Sequence, residues 1–343
     1  PPPPPPPPPP TLPLHDALPI STFSRLMETV LAGLHWKTCL VYLDDIICFT
    51  DSFQGHLEAL GTILDRLHAA GLKLQPKKCE YFKHRVRYLG HIISGAGTEV
   101  DPEKTRAIDQ WPQPTNSSGV RSFVGTASFY RRFIKDFAEI ARPLHHLTRK
   151  DVPFIWDESC TLAFQRLKKA LVTAPVLSYP ASTGQYYLDT DASKHSISGI
   201  LSQHQDGEER VIAYFSRVMT PEEQRYCVTR RELLAVIESL RHYHHYIYSP
   251  GVQIRTDHGS LRWIINFKHP EDQLARWIET LGIYDYKIVF RPGRYNSNAD
   301  GLSRIPCGPC QPCQRKKDKD SAASGVRSLG CQTPGFMMGS QIS

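Results

Sequence analysis

The sequence predicts an α/β (α+β) protein in which a β-sheet is covered by helices. The first observation is residues 186–203, where two extended runs enclose a polar turn at 191–194. The second is an apolar helical repeat across 229–246, after which comes the apolar strand 252–257. Further strands at 210–215 and 286–291 and a helix around 277–281 extend the pattern. Strands that alternate with helices of this kind predict a sheet flanked by helices.

Length, charge and cysteine content limit the number of domains, the type of partner and the compartment. With 343 residues it has room for two or three domains. Lys and Arg exceed Asp and Glu by seven, a basic balance that suits a polyanionic partner. No run of 18 or more apolar residues exists, so no membrane partner is expected. Nine scattered cysteines without a signal peptide predict free thiols in a reducing compartment.

Residues 1–21 do not fit the folded pattern. Ten prolines form a polyproline segment with no core to join, and residues 11–21 show no periodicity. The stretch ALPI is similar to the translation of a sequencing adapter, which favours a non-native segment. The alternative is a disordered proline-rich terminus. Either interpretation predicts that the fold begins at Thr22.

Residues 22–98 then combine a helix, an acidic hairpin and a basic stretch. The segment 38–50, TCLVYLDDIICFT, predicts two strands around a turn at Asp44 and Asp45. This aspartate pair is either an Asx-type turn or a metal-binding pair. An amphipathic helix within 56–74 should end at Gly71, with a strand at 72–74 after it. Lysines and arginines then alternate with aromatic residues across 77–88.

Residues 102–150 predict helices with basic outer faces. Val120, Phe123 and Ala127 recur at helical spacing, while Arg131 and Arg132 fall outside the apolar positions. For each of these arginines, a solvated surface position is as plausible as a phosphate contact. A further helix is predicted over 158–171, with Pro175 in a connector.

Five carboxylates stand out in the second half of the chain. Asp189 and Asp191 lie two apart in a strand, so both should point to one face, where they would suit a divalent cation. Glu232 lies on the predicted helix, Asp257 ends a strand and Asp300 precedes the tail. Each has a structural alternative. Glu232 fits a capping box that starts at Thr229, Asp257 can simply close its strand, and Asp300 can cap a helix.

The motifs TDAS, ELLAVIESL, TDHGSL and RPGRYNSNADGLSR occur in this order between about Tyr186 and Arg304. Together they resemble the ribonuclease H domain of a gypsy-type LTR retrotransposon Pol polyprotein. The resemblance implies a ribonuclease H-like mixed five-stranded sheet with flanking helices. It also implies a site with two Mg²⁺ ions, or Mn²⁺ in their place. Its catalytic, metal-binding residues would be Asp191, Glu232, Asp257 and Asp300, with Asp189 as a neighbour that tunes the field.

The segment YLDD, residues 42–45, resembles the YxDD motif of reverse transcriptases, and residues 22–31 and 56–94 support the match. In that family the two aspartates share metal ions with a third aspartate from an earlier strand. That strand is expected upstream of Thr22 and is not found there. The chain is therefore expected to lack the fingers, the first part of the palm and the integrase, and to have lost polymerase activity. The resemblance places nucleic-acid contacts at Tyr42, Lys77, Lys78, Tyr88, Gly90, Arg131 and Arg132, and metal-binding residues at Asp44 and Asp45.

The predicted domain plan has five parts. Residues 1–21 are non-native or disordered, 22–98 form part of a reverse transcriptase palm, and 99–175 form a helical thumb or connection. Residues 176–304 form the ribonuclease H domain and 305–343 a disordered tail. Cys307, Cys310 and Cys313 in this tail have ligand-like spacing but lack a nearby fourth ligand, so free thiols are favoured over a zinc site.

The expected reaction is hydrolysis of RNA within an RNA–DNA hybrid, with an RNA template and a DNA primer as further partners. The resemblance implies a retroelement particle in the cytoplasm, or the nucleus, as the location. Two rival interpretations remain. Polymerisation is a rival within the same family, and a non-catalytic nucleic-acid-binding relic is a rival of a different class.

Overall fold

The computed structural model describes residues 20–259, 261 and 272–291. The chain divides between Val289 and Phe290 into two units, and the first contains nearly all described residues. The predicted domain boundaries near 98 and 175 both fall inside this unit and stay predictions. No helix in the described part has the length and apolar character needed to cross a bilayer.

The cysteines divide between described and undescribed parts of the chain. The five that the structure describes, Cys39, Cys48, Cys79, Cys160 and Cys227, are free thiols. The predicted tail, with Cys307, Cys310 and Cys313, lies outside the described residues. Its free thiols therefore stay a prediction.

The first part of the fold is a hairpin packed between two helices. Helix α1 covers Ile20–Val30, strands β1 and β2 cover Cys39–Tyr42 and Asp45–Cys48, and α2 covers Phe53–Ala69. Helix α2 begins earlier than predicted because the Ser52 hydroxyl accepts a hydrogen bond from the Gly55 N–H at 3.1 Å. The buried residues between these elements are Met27, Leu31, Cys39, Ile63 and Leu67.

A three-stranded sheet follows, with β3 at Arg85–Tyr88, β4 at His91–Ser94 and β5 at Gly97–Val100. The strand predicted at 72–74 is wrong, because these residues join no sheet in the described chain. Strand β5 bonds to Leu177, since the Thr98 and Leu177 N–H groups donate to each other's carbonyls at 2.8 and 2.9 Å. Gly97 permits this approach, because a Cβ there would lie 2.1 Å from the Leu177 oxygen.

The next layer is helical, as the sequence predicts, and it consists of four α-helices. They are α3 at Pro102–Asp109, α4 at Ser117–Phe129, α5 at Phe137–His146 and α6 at Glu158–Val172. The side chains of Asp101, Asn116 and Asp157 cap α3, α4 and α6. Their shared core includes the fully buried Phe123, Leu144, Leu167 and Leu171.

The last layer is a five-stranded mixed sheet. Strands β6 at Tyr186–Ala192, β7 at Ser196–Gln205, β8 at Glu208–Val218, β9 at Val252–Thr256 and β10 at Tyr286–Phe290 lie in the order β10-β9-β6-β7-β8. Strand β6 pairs antiparallel with β7 and parallel with β9. The predicted fold class is therefore confirmed. Strand β6 runs on through Asp191 to Ala192, so the turn begins later than predicted.

Within the part of the chain that the structure describes, three helices accompany this sheet: α7 at Val228–His242, α8 at His244–Ile247 and α9 at Asp272–Gly282. The single helix predicted over 229–246 is thus two helices that meet at Tyr243. The buried Tyr243 hydroxyl donates to the carbonyls of Gly199 and Ala213 at 3.1 and 2.8 Å, which fixes this residue against the sheet. Helix α7 packs on the sheet through a core that includes Leu188, Ile197, Leu201, Ile237 and Leu240.

The opposite face of the sheet is polar near β6 and carries α5 near β8. Alternation along β6 buries Leu188 on the α7 side, so Asp189 and Asp191 share the other face, as predicted. At β8, Val211 and Tyr214 pack on the helical core that contains α5. The backbone N–H of Ala138 also donates to the Ser216 hydroxyl at 3.0 Å.

Candidate active site

Three of the four predicted ribonuclease H acids lie around one edge of the five-stranded sheet. Strands β6 and β9 are parallel neighbours, so their carboxyl ends meet at the same edge. Asp191 is the penultimate residue of β6, and Asp257 directly follows β9. Glu232 lies in the first turns of α7, which packs on β6, and only 5% of its surface is exposed. Asp300 lies outside the described residues.

Two of the three acids have raised pKa values. Burial, and then the charges of Asp191 and Asp257, raise the pKa of Glu232 to about 8, although Arg231 and the Ala192 N–H oppose this. The pKa of Asp191 is also raised, by burial and then by the charges of Asp136 and Asp257. Asp191 is exposed along part of its surface, but protein atoms surround its carboxylate closely enough to disfavour the charge. Because the charge of Asp257 acts on both Asp191 and Glu232, the three acids lie in one electrostatic neighbourhood.

The capping-box alternative for Glu232 does not match the structure. The N-cap of α7 is Cys227, which makes no side-chain capping bond. The Thr229 hydroxyl, which the capping box requires at this end of the helix, lies 3.0 Å from His258 Nε2 instead. Oxygen Oε2 of Glu232 is buried and has no hydrogen-bond partner. A buried carboxylate oxygen without a partner is costly, so an unmet demand for a proton or a cation exists here.

These residues fit a hard divalent cation in donor type. Mg²⁺ prefers carboxylate oxygens, and the unpartnered Oε2 of Glu232 is such an oxygen beside two further carboxylates. Within the described residues, no three acidic, histidine or cysteine side chains converge tightly enough to enclose an ion. His258 and His195 are engaged with Thr229 and Gln224. Neither histidine is needed as a ligand for such an ion.

Replacing Glu232 with Gln should stabilise the metal-free protein at alkaline pH. The folded pKa is about 8 against an ordinary 4.5, so the folded state holds the proton more tightly. The unfolding free energy then falls as pH rises from about 4.5 to 8. Gln removes that dependence, with a gain of up to roughly 4 kcal/mol at pH 8 and less than about 1 kcal/mol at pH 5.

Urea unfolding in EDTA at the two pH values measures this effect. Glu208→Gln is the matched control, because the Glu208 side chain is 77% exposed. The capping box predicts the opposite sign, a loss of about 1 kcal/mol at both pH values. A loss of that kind would show that Glu232 serves the helix end rather than the acid cluster.

Asp189 does not extend the acid cluster. Arg255, which is 9% exposed, donates from Nε to Asp189 Oδ1 at 2.7 Å and also donates from a terminal nitrogen to the same carboxylate. The same guanidinium donates to both oxygens of Glu209 at 2.6 and 2.7 Å, and it lies 4.6 Å from the ring centre of Tyr187. Asp189 therefore belongs to a buried ion cluster of the sheet. Neither Arg255 nor Glu209 is predicted from the sequence.

The YLDD hairpin places its two aspartates at an exposed tip. Tyr42 and Asp45 face each other in the β1–β2 register, and Asp44 occupies the turn with Leu43, which has a φ of 55°. Both aspartates are exposed, and Tyr42 is 56% exposed. Burial and then the charge of Asp45 raise the pKa of Tyr88, which brings the β3–β4 hairpin into this electrostatic neighbourhood.

Some of the other predicted nucleic-acid contacts are exposed to solvent, and others also make contacts within the fold. Lys77 and Lys78 lie in a 3₁₀ turn at Pro76–Lys78, and both side chains are exposed to solvent. Gly90 lies in the β3–β4 turn, where its carbonyl accepts from the Tyr130 hydroxyl at 2.8 Å. Arg131 donates to the Ser216 carbonyl and its guanidinium lies over Phe137, so it also ties the helical layer to β8.

Arg132 lies over the Phe133 ring at 5.9 Å and is otherwise exposed. Its guanidinium also contributes to the low pKa of His91, which burial lowers first. His91 stacks on Phe129 at 5.2 Å, so the β3–β4 hairpin rests on α4. The exposed face of Arg132 therefore lies where the hairpin and the helical layer meet.

Two family models match the chain. Residues 18–93 match the reverse transcriptase (RNA-dependent DNA polymerase) model. Residues 156–254 match the RNase H-like domain found in reverse transcriptase. The second match begins before α6, so it includes a helix that the sequence pattern assigns to the connection. It ends within β9, before Asp257.

Curated relatives agree with both matches. The Pol polyprotein from transposon gypsy of Drosophila melanogaster is 37% identical over 298 residues, which cover 83% of this chain and 28% of that polyprotein. The polyprotein from transposon opus of the same organism is 35% identical, with 83% and 30% covered. The Tf2-3 polyprotein of Schizosaccharomyces pombe is 34% identical, with 82% and 22% covered. The chain thus spans less than a third of the length of these relatives.

Solved structures show the same fold. The foamy viral protease-reverse transcriptase dRH in complex with double-stranded DNA superimposes with a TM-score of 0.68 at 22% identity, covering 79% of this chain and 48% of that one. The foamy viral protease-reverse transcriptase in complex with an RNA/DNA hybrid gives 0.68 at 19% identity, covering 95% and 42%. These structures show the fold alone. The two family models and the transposon relatives show that the chain belongs with the reverse transcriptase and RNase H-like domains of gypsy-type LTR retrotransposon Pol polyproteins.

Proposed function

We propose that this chain hydrolyses RNA within RNA–DNA hybrids. The observation that carries the proposal is the buried Glu232 carboxylate, with one oxygen unpartnered, beside Asp191 and Asp257 at the edge where β6 and β9 end. Acids with such shifted pKa values at a strand edge are frequent in catalytic sites. Asp189 and Glu209 are also carboxylates on the same sheet, but Arg255 donates hydrogen bonds to both of them and balances their charge. The contrast supports a functional role for the unneutralised set.

In this proposal the acids hold two Mg²⁺ ions, with Mn²⁺ as a substitute. When bound, the two ions would lower the pKa of the attacking water and offset the charge on the departing 3′ oxygen. Asp191 would contact both ions, Glu232 and Asp257 would complete one site, and Asp300 the other. Water attacks the phosphorus and the P–O3′ bond breaks, which leaves a 5′-phosphate and a 3′-hydroxyl. The chain's residues thus position the ions and the scissile phosphate.

Partners follow from the same proposal. The net charge of +7 and the exposed Lys77, Lys78 and Arg132 favour a polyanion. Foamy viral neighbours of the same fold were solved with DNA and with an RNA/DNA hybrid. Hybrids are distinguished by 2′-hydroxyls on one strand only. We propose RNA–DNA hybrids as substrate, an RNA template and a DNA primer as further ligands, and a cytoplasmic or nuclear retroelement particle as the location.

The direct test is cleavage of an end-labelled RNA–DNA hybrid with Mg²⁺, compared with the same RNA alone and the same RNA paired with RNA. We expect internal cuts in the hybrid only, and their loss in EDTA. Tight hybrid binding without cleavage would favour the alternative of a non-catalytic nucleic-acid-binding relic. The same preparation serves for both measurements.

The 343-residue polypeptide by itself should cleave a hybrid but not extend a primer. The family's polymerase site needs a third aspartate beside Asp44 and Asp45, and residues 20–38, which lead into β1, contain none. Two exposed aspartates on a hairpin do not fix two ions against a triphosphate, and phosphoryl transfer depends on that placement. The measurement is primer extension on an RNA template, run beside the cleavage assay. Extension that vanishes in Asp44→Asn would contradict this expectation.

A further inference from the structure

The turn that follows Asp191 is held by a helix from outside the five-stranded sheet. The Ser196 hydroxyl donates to Glu139 Oε2 on α5 at 2.8 Å. The Ser193 hydroxyl lies 3.2 Å from the same oxygen and shares its single proton between this oxygen and the Ser196 carbonyl at 3.1 Å. Ser196 is 6% exposed, so its hydroxyl has little access to water as an alternative partner. Hydrogen bonds to a carboxylate are stronger than neutral ones. Glu139 therefore fixes both ends of the β6–β7 turn.

The turn is organised around the same two serines. The Ser193 hydroxyl accepts from the backbone N–H groups of His195 and Ser196 at 3.1 and 2.9 Å. The Ser193 N–H donates to the Ser196 carbonyl at 2.8 Å. Because these bonds converge on Ser193, a displacement of its side chain would loosen the whole turn. Asp191 lies only two residues before it.

Helix α7 contacts the turn as well. Arg231, the residue before Glu232, donates to the Ser193 carbonyl at 3.0 Å. One turn is thus bonded to Glu139 of α5 and to the neighbour of Glu232 on α7. The backbone near Asp191 is thus connected to the residue before Glu232 by a single hydrogen bond, from Arg231 to the Ser193 carbonyl.

Helix α5 is itself anchored on the sheet. The Ala138 N–H donates to Ser216, which pairs with Ser198, and Ser198 in turn pairs with Asp191 across the ladder. Glu139 lies one residue after Ala138 and is also 3.6 Å from Arg142. The helix N-terminus therefore keeps a fixed relation to the strand positions that carry Asp191.

We propose that Glu139 is a positioning residue that holds the β6–β7 turn so that Asp191 and Glu232 bind divalent cations together. The inference rests on the proposed function, because it concerns the same acids. It assigns part of the hydrolytic site to α5, which lies outside residues 176–304, the predicted ribonuclease H domain. Glu139 touches neither substrate nor ion in this proposal. It acts through the turn.

The test measures Mn²⁺ binding to the full chain by electron paramagnetic resonance. The relevant site is the one lost in Asp191→Asn, which separates it from binding at the YLDD hairpin. Glu139→Ala should weaken that site by about 10-fold, as is typical when a residue that orients a ligand is lost. Glu139→Gln keeps an acceptor oxygen and should fall between Glu139→Ala and the wild type.

Glu158→Ala is the matched control, because Glu158 is an exposed glutamate in the first turn of α6. It removes the same charge and should leave the Mn²⁺ affinity unchanged. A second disruption, Ser193→Ala with Ser196→Ala, keeps Glu139 and should reproduce the loss of about 10-fold even where Glu139→Ala folds poorly. Thermal unfolding of every variant identifies a general loss of structure.

Two outcomes overturn the inference: unchanged Mn²⁺ affinity in both Glu139→Ala and the double serine variant, or no Mn²⁺ site that depends on Asp191. A wild-type chain that binds Mn²⁺ through Asp191 but cleaves no hybrid contradicts the proposed function only. A chain that cleaves normally, with Glu139 variants that bind Mn²⁺ like the wild type, contradicts the positioning role only.

Discussion

Replacing Asp191 with Asn should abolish hybrid cleavage and leave hybrid affinity nearly unchanged. Asn has the same shape but lacks the charge that holds the cations, so the loss in rate should reach at least about 10³-fold. Binding depends mainly on phosphate contacts made elsewhere on the basic surface, and removing one negative charge does not weaken these. Because Asp191 is partly exposed, the NH₂ group of Asn can be accommodated in place of a carboxylate oxygen. Folding should therefore be retained.

The measurement is single-turnover cleavage of a labelled hybrid beside a binding titration in Ca²⁺. Asp206→Asn is the matched control, because Asp206 lies in the β7–β8 turn with a side chain 83% exposed and a φ of 51°, which Asn adopts readily. It should cleave like the wild type. Near-wild-type cleavage by Asp191→Asn would remove Asp191 from the site and with it the proposed reaction.

Replacing Arg255 with Met should destabilise the fold by about 3 kcal/mol. The guanidinium neutralises both Asp189 and Glu209, which are 21% and 25% exposed and therefore only partly screened by water. Burial lowers the Arg255 pKa, but bonds to these two carboxylates raise it more, so the group remains charged. Without Arg255 the two carboxylates would lose the cation that links them, while Glu209 would keep the 2.7 Å hydrogen bond that the Ser202 hydroxyl donates to it. Methionine keeps the contact with Tyr187, so the loss is mainly electrostatic.

Urea unfolding measures this change. Arg210→Met is the matched control, because Arg210 is 39% exposed and meets its acidic neighbours only at 3.7 and 4.0 Å, so it should cost less than about 1 kcal/mol. Adding Asp189→Asn and Glu209→Gln to Arg255→Met should restore most of the lost stability, since neither of these side chains then carries a charge. A single Arg255→Met variant as stable as Arg210→Met would show that water screens the cluster.

Local patterns in the sequence predicted most elements of the fold. Alternation and helical spacing identified the strands and helices that carry Asp191, Glu232 and Asp257. Errors occurred where a tertiary contact decided the outcome. The break between α7 and α8 at Tyr243 depends on carbonyls of two other strands. The helix pattern by itself cannot reveal those acceptors.

The site shows the same limit. Asp189 and Asp191 look equivalent in sequence, yet one meets an arginine 66 positions away. Glu232 fits a capping box locally, but the Thr229 hydroxyl is near His258, 29 positions away. Nothing in the sequence near Glu139 indicates its two serine partners, which lie 54 and 57 positions later. Pairing between distant residues separates structural acids from candidate catalytic ones, and periodicity does not contain that information.

The central position of β6 in the five-stranded sheet determines the order in which the sheet can fold during translation. Its antiparallel neighbour β7 follows at once, whereas its parallel neighbour β9 is synthesised only after β8 and α7. Contacts between distant residues form late, because a long loop must close first. The β6–β8 meander can therefore form on a nascent chain that still lacks the Asp257 edge. Asp191 and Glu232 belong to β6 and α7, which are made earlier, but Asp257 joins them only when β9 docks. An unfinished chain is therefore spared the repulsion that Asp257 adds to the other two acids.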